Sequence, residues 1–476
     1  MFDTLKSWWE TINDRLGIIH LLKPLLDHKV PRGSKWAYVF GSATLFAFLL
    51  QVVTGVALAT TYIPSTQSAY ETLKFINDGA LFGHVLRGLH YFGASAMVLF
   101  VGIHMLRAYL YGAYKYPREA NWLTGVLLLM LTLVMGFTGQ LMRWDQNAIW
   151  SVNIAARQAE RVPWLGTQLE HFVYAGDHLG GATLTRFYDA HVFLVPAAIL
   201  IIVSLHLFLV LHNGISEPPQ AGKPVDPKTY RRQYQKLLDR EGVPFWPDAA
   251  WRDALFGSLM ISVVVALAFT VGAPQLSKPP DPTLLNAYPR PDWYLLWYFA
   301  VLALSPHKLE NYLMILGPIL IFGSMIAMPF FFNKGERSVS RRPWAMAWFI
   351  IIVLGVLTLW YEGKVAPWSP RFEAQPLHAA DYSGVDVAAH HGALLFHDKG
   401  CEYCHMIDGQ GGLRGPNLSN VANRLTEQQM KIRILNGGRN MPAFAGILQS
   451  NQLEELVKFL ETRRTEPGPY LNEPQK

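Results

Sequence analysis

Seven apolar runs decide most of what this 476-residue chain can fold into. They cover roughly residues 36–62, 84–112, 121–142, 188–212, 251–273, 310–332 and 343–361. Each reaches the length of about twenty residues that a helix needs to cross a bilayer. A composition of 51% hydrophobic and only 16% charged residues agrees with helices solvated by lipid rather than folded around a soluble core.

The remaining charges sort by side. With the amino terminus cytoplasmic, the inside segments hold Lys6, Arg15, Lys23, Lys29, Arg32 and Lys35, then Lys115 and Arg118. They also hold Lys223, Lys228, Arg231, Arg232, Lys236 and Arg240, then Lys334, Arg337, Arg341 and Arg342. The outside connections are longer yet poorer in Lys and Arg, so the positive-inside bias selects this orientation and leaves the carboxyl terminus outside. Topology thus accounts for the net charge of +6, and no nucleic-acid partner is needed to explain it. Residues 1–35 lack the pattern of a signal peptide and read as an amphipathic interfacial helix anchored by Trp8 and Trp9. Two outside segments, 143–187 and 274–309, are too long for plain connectors and are candidates for function. Residues 362–384 form a polar, proline-containing linker, and a soluble domain follows at 385–476.

Two of the runs carry paired histidines, His90 and His104 on the second, His191 and His206 on the fourth. The intervals of fourteen and fifteen residues are about four helical turns, so the histidines of a pair share a face roughly 21 Å apart. Two such helices facing each other make two bis-histidine sites stacked across a membrane, the arrangement of two b-type haems. Glycines repeat the interval: Gly41 and Gly55 on the first run, Gly125 and Gly139 on the third, where a missing side chain admits a flat macrocycle. Both histidine-bearing runs begin outside, so His90 and His191 belong to an outer site and His104 and His206 to an inner one. Arg87 and Arg107 each stand three residues from a ligand and can pair with haem propionates, or snorkel at the span ends.

The only cysteines, Cys401 and Cys404, form C-x-x-C-H with His405. Two thiols at this spacing add to haem vinyl groups and the histidine ligates the iron, giving a covalent c-type haem. The surrounding pattern is similar to class I cytochrome c over the whole domain: VAAHHGALLFHDKG before the motif, then Gly415-Pro416-Asn417-Leu418, Asn440-Met441-Pro442 and a final helix from about Gln452 to Thr462. The resemblance implies Met441 as the sixth ligand and haem attachment outside the cytoplasm, the side that charge counting also selects.

Residues 1–361 resemble cytochrome b of the cytochrome bc complexes. The resemblance is carried by FGSATLFAFLLQVVTG (Phe40 to Gly55), the four histidines, TLTRF (Thr183 to Phe187) and PDWY (Pro291 to Tyr294). The fifteen-residue interval, the WDQ at Trp144 to Gln146 and seven spans instead of eight resemble the photosynthetic type, in which cytochrome b is split from a three-helix subunit. Asp292 stands where the family usually has glutamate, and Arg143 where it usually has a proline before the tryptophan. The resemblance implies an outer quinol-oxidation site with Asp292 as proton acceptor and Tyr294 as a quinol-contacting residue. It also implies an inner quinone site, for which Asp253 in RDALFGSLM and His212, one place off the family's usual histidine, are the candidates.

The expected molecule is all-α. A dihaem four-span bundle at 36–213 is followed by a three-span region at 214–361 and a small all-α cytochrome c domain outside. The resemblance implies a subunit of a quinol:cytochrome c oxidoreductase, homodimeric, in the lipid of a bacterial cytoplasmic membrane. It would work with a separate Rieske iron–sulfur protein, further c-type cytochrome subunits and a terminal oxidase or soluble acceptor. The Rieske cluster must come from another chain, because this one has no cysteines to spare. Two other readings share the histidines: a quinone-reactive haem anchor for another redox partner without bifurcation, and a structural or haem-sensing membrane protein with a tethered cytochrome.

Overall fold

In the computed structural model of the chain, seven helices are long and apolar enough to cross a membrane, in the expected order. They are α1 (Phe40–Ala59), α2 (Gly83–Leu110), α3 (Glu119–Leu141), α4 (Gly181–Asn213), α5 (Phe245–Thr270), α6 (Asn311–Phe331) and α7 (Pro343–Val365). The structure describes residues 8, 11–17, 23, 26–281, 290–365, 377, 384, 386–412, 415–437, 441 and 443–464. Trp9 lies outside them, whereas Trp8 is exposed and 11–16 is helical. The described part falls into two compact units, one of 1–143, 180–276 and 312–353, the other of 144–179, 277–311 and 354–476.

In the first unit the threonines of α1 and α3 send their hydroxyl protons back one turn. Thr44 donates to Phe40 O, Thr54 to Leu50 O, Thr124 to Ala120 O, Thr132 to Leu128 O and Thr138 to Val134 O. In hydrocarbon no water could satisfy them, so the helix backbone does. Ala47, Phe48, Met97, Val195, Ile199, Met260 and Val264 form a core shared by α1, α2, α4 and α5. Small residues let α5 approach closely: a Cβ on Gly88 would stand 3.0 Å from Ala268 Cα, and one on Gly257 2.4 Å from Phe46 Cδ2. α3 meets α6 through the Trp122 indole N–H, which donates to Met325 O at 2.6 Å. A short antiparallel pair, β1 (Lys29–Pro31) and β2 (Gly242–Pro244), in register Val30 to Val243, ties the chain ahead of α1 to the chain ahead of α5.

The basic residues that set the expected orientation have structural work as well. α2, α4 and α6 all end on the side assigned to the cytoplasm, where their last carbonyls lack helical partners. Arg342 donates to Leu110 O at 2.5 Å and Arg337 to Tyr111 O at 3.2 Å. Arg118 donates to Gly214 O at 2.8 Å and Asn213 O at 3.3 Å, and Lys115 to Phe332 O and Lys334 O. A cation at a carbonyl-bearing helix end is favoured by the helix dipole as well as by the hydrogen bond. Arg337 also pairs with Glu217 at 2.5 Å, almost fully buried.

In the second unit, Asp145 begins the helix Gln146–Glu160, its carboxylate accepting from Ala148 N and from Ser277 N at 2.9 Å each. Gln146 clamps the same stretch: its backbone N–H donates to Lys278 O, while its amide donates to Asp281 O and accepts from Asp281 N. The two long segments expected outside, 143–187 and 274–309, therefore hold short helices and a side-chain-to-backbone lock. The carboxyl-terminal domain is built from α8 (Val387–Asp398), α9 (Glu427–Asn436) and α10 (Ser450–Glu461). α8 crosses α10 at Gly392, where a Cβ would fall 2.0 Å from Glu455 O, with Phe396 against Phe459 beside it.

Candidate cofactor and quinol sites

His90 on α2 and His191 on α4 face each other with ring centres 6.2 Å apart and planes at 76°. A metal–imidazole bond is about 2 Å long and the ring centre sits about 1 Å behind the nitrogen, so two imidazoles on one metal have centres about 6 Å apart. This outer pair, named by the expected orientation, thus has the spacing of a bis-imidazole site.

The odd interval on α4 has a physical cause. Fifteen residues at about 100° each carry His206 about 60° past the position of His191, where fourteen leave the first pair about 40° short of it. The backbone instead widens into a π-helical turn at Ala190–Leu194, with Val195 N–H donating to Ala190 O. A wide turn absorbs one extra residue and gives His191 and His206 the phase of His90 and His104. Pro196 is the sequence signal: it has no N–H for the helical bond and loosens the turn before it.

All four glycines meet candidate ligands. A Cβ added at Gly41 would stand 3.1 Å from His104 Cε1, at Gly55 3.3 Å from His90 Cε1, at Gly139 2.6 Å from His191 Cε1 and at Gly125 3.7 Å from His206 Cε1. The protein atoms nearest these glycines are those of the imidazoles, with Met105 Sδ at 3.6 Å beside His206 at Gly125. Three of the four imidazoles have a polar neighbour for which the sequence carries a signal. Thr54, Thr124 and Thr138 directly precede three of the glycines, and their Oγ1 atoms lie 2.9, 2.8 and 3.2 Å from Nδ1 of His90, His206 and His191.

The remaining span residues separate. Arg107 lies buried over the Tyr38 ring at 3.6 Å, with Nε and Nη2 lacking hydrogen-bond acceptors, as fits a propionate. Arg87 has its terminal nitrogens on Asn77 Oδ1 at 2.8 Å and Pro274 O at 2.6 Å, so a propionate there competes with two bonds. Asp253 is half-buried and bonded to Ser42, while His212 is exposed and stacked on Phe208.

In the second unit the PDWY motif forms a tight turn. Asp292 precedes the 3₁₀ turn Trp293–Leu295, its carbonyl accepting from Leu295 N, and the Tyr294 hydroxyl donates to Asp292 Oδ2 at 3.3 Å. An acid and a phenol two residues apart are thereby joined in one polar group.

The C-x-x-C-H motif occupies a 3₁₀ turn at Cys401–Tyr403 that follows Gly400 at φ +70°. His405 Nδ1 lies 2.8 Å from Pro416 O, which can only accept, so Nδ1 carries the proton and Nε2 is free for iron. Burial lowers the pKa of His405 and keeps it neutral, and the Pro416 carbonyl opposes in part. A Cβ on Gly415 would stand 2.5 Å from His405 Cε1. Met441 packs against the domain core of Phe396, Ile407, Met430 and Phe459, while Asn440 and Pro442 lie outside the described residues. Between the cysteines, Glu402 is 1% exposed, its carboxyl pushed by burial to about 8, with His397 Nδ1 2.5 Å from Oε1.

Comparison with known proteins agrees with this construction. The family described as cytochrome b/b6/petB matches residues 25–214, and cytochrome b(C-terminal)/b6/petD matches 281–382. The menaquinol:cytochrome c reductase cytochrome b subunit of Bacillus subtilis is 36% identical over 45% of this chain and 99% of its own length. The chain belongs to the cytochrome b family. Cytochrome b6 of Synechococcus elongatus is 36% identical over 44% of this cytochrome b and 97% of its own length. Cytochrome b/c1 of Bradyrhizobium diazoefficiens is 29% identical over 76% and 50%. A solved hyperthermophilic respiratory complex III shares the fold, with TM-score 0.65 and 24% identity over 75% of this chain and 91% of that one. Residues 387–460 match cytochrome c oxidase, cbb3-type, subunit III, so this cytochrome b ends in a cytochrome c domain. The molecule is therefore a haem-binding integral membrane protein of the cytochrome b family.

Proposed function

We infer that the chain is the fused cytochrome b and cytochrome c subunit of a quinol:cytochrome c oxidoreductase in a bacterial cytoplasmic membrane, with its amino terminus cytoplasmic and the cytochrome c domain outside. The observation that carries this is the set of imidazoles, each backed at Nδ1 or pressed on a glycine: His90 with His191, His104 with His206, and His405. His90 and His191 hold the outer b-type haem, His104 and His206 the inner one, and His405 with Met441 the c-type haem bound to Cys401 and Cys404. When bound, these haems supply one-electron carriers across the membrane and outside it. Arg107, whose Nε and Nη2 have no protein acceptor, would hold an inner-haem propionate.

Quinol binds at the outer side and loses two electrons and two protons. Asp292 takes a quinol hydroxyl proton and Tyr294 holds that carboxylate by its hydroxyl. One electron leaves to a Rieske iron–sulfur protein on another chain; the other serves quinone reduction at the inner side, near Asp253. Two protons appear outside for each quinol oxidised. The complex is a homodimer that delivers electrons to a further c-type cytochrome, a terminal oxidase or a soluble acceptor. The Bacillus subtilis and Geobacillus thermodenitrificans relatives carry menaquinol in their names, so menaquinol is the first quinol to assay.

The test is quinol-driven haem reduction in the purified complex, with and without its Rieske subunit and an outer-site inhibitor. Reduction of the c-type haem that needs the Rieske subunit and stops with the inhibitor is expected. Quinol-driven reduction of the c-type haem that persists without the Rieske subunit would contradict bifurcation.

A further inference from the structure

A threonine hydroxyl has one proton, and Thr54, Thr124 and Thr138 each have an acceptor for it in their own helix, Leu50 O at 2.7 Å, Ala120 O at 3.0 Å and Val134 O at 2.9 Å. An oxygen whose proton is engaged accepts through its lone pairs. The Nδ1 atoms of His90, His206 and His191 at 2.9, 2.8 and 3.2 Å must then be the donors. Nδ1 carries the proton, and Nε2 presents its lone pair to a metal. A backbone carbonyl supports the same tautomer at two of the three: Met135 O lies 3.1 Å from His191 Nδ1, and Asn121 bonds His206 through its backbone. His90 depends on Thr54. At the fourth position the pattern breaks, because the residue ahead of Gly41, which faces His104, is Phe40.

We propose that Thr54, Thr124 and Thr138 are positioning residues that fix the imidazole tautomer and strengthen its donation to iron, acting on both ligands of the outer haem but on one ligand of the inner haem. An imidazole that donates from Nδ1 is a stronger base at Nε2. A stronger donor stabilises ferric over ferrous iron, so the outer haem is held at the lower potential and an electron runs inward. The proposal rests on the two-haem reading above.

The experiment is a redox titration of the purified complex, followed in the b-haem spectra, for Thr54→Val, Thr138→Val, Thr124→Val and the corresponding Thr→Ser variants. Thr54→Val is expected to shift the ferric-to-ferrous preference of the outer haem about tenfold, which raises its potential by about 59 mV for one electron, and to leave the inner haem unchanged. Thr138→Val shifts the outer haem less, because the Met135 carbonyl remains. Thr124→Val raises the inner haem and widens the gap. Serine keeps the oxygen and returns each potential to that of the parent. Should Thr54→Val lose the outer haem altogether, Thr54→Ser regaining it at the parental potential supports the proposal. An outer haem fully retained at unchanged potential in Thr54→Val overturns it, as does failure of serine to restore. Fewer than two b-type haems in the unmodified complex would instead defeat the functional reading before any variant is compared.

Discussion

The Tyr294 hydroxyl donates to Asp292 Oδ2 at 3.3 Å, joining the two residues of the PDWY turn proposed above to take the quinol proton. A proton acceptor held by a phenol is oriented without being consumed, since the phenol can release it as quinol arrives. Asp292→Asn removes the base while keeping the shape. Quinol oxidation should fall about a hundredfold with both b-haem spectra intact. Tyr294→Phe should lower turnover less and Asp292→Glu should retain most of it. Steady-state quinol:cytochrome c assays check the series, and unchanged turnover in Asp292→Asn would remove Asp292 from its role.

The four cradle glycines differ in the room they leave. Gly139→Ala places a methyl group 2.6 Å from His191 Cε1, a contact that cannot stand, whereas Gly125→Ala places one 3.7 Å from His206 Cε1. Gly139→Ala should lose the outer b-type haem and Gly125→Ala should keep the inner one. Haem extraction and the b-to-c absorbance ratio of the two purified variants decide it; equal retention would show that the cradle geometry is not what admits the ligand.

Glu402 carries a pH dependence of known sign. Its carboxyl is held at about 8 by burial, against 4.5 for the ordinary group. A raised acid contributes stability in full below the ordinary value and loses it as pH rises through about 8, where the buried carboxyl must ionise. His397, 2.5 Å away and lowered by burial, acts in the opposite sense as pH falls. Thermal unfolding of the c-type haem signal should therefore shift to lower temperature between about pH 5 and pH 8 and level off above, by an amount that Glu402→Gln largely removes (roughly one titrating group). A pH profile that Glu402→Gln does not alter would rule out this origin.

Gly392→Val should prevent the cytochrome c domain from closing, because the crossing of α8 and α10 brings Glu455 O to 2.0 Å from the first added carbon. The expected result is loss of covalent haem staining with the b-type spectra preserved. Normal covalent haem in Gly392→Val would mean that the helices can part there without cost.

Much of this was legible in the sequence, for identifiable reasons. Span positions follow from length and hydropathy, and the histidine and glycine intervals follow from helical periodicity, so the structure places them as the spacing implied. Other features depend on contacts that spacing does not carry. Nothing local to Arg87 indicates that it reaches Pro274, 187 residues away, or that Gln146 grips the backbone of Asp281. The π-helical turn at Ala190–Leu194 is encoded by Pro196 and the extra residue between His191 and His206, a difference of one residue that counting whole helical turns passes over. The threonines were overlooked because hydroxyls are ordinarily spent on their own helix; here the proton is, and the lone pair is not.

The central claim is that one chain holds two b-type haems and one c-type haem. Haem quantification of the purified chain by alkaline pyridine spectra, combined with a redox titration, tests it most directly. The account predicts two b-type haems per c-type haem, with two resolved b-type potentials. A ratio of one or less, or a single b-type potential with one haem's worth of absorbance, would contradict it.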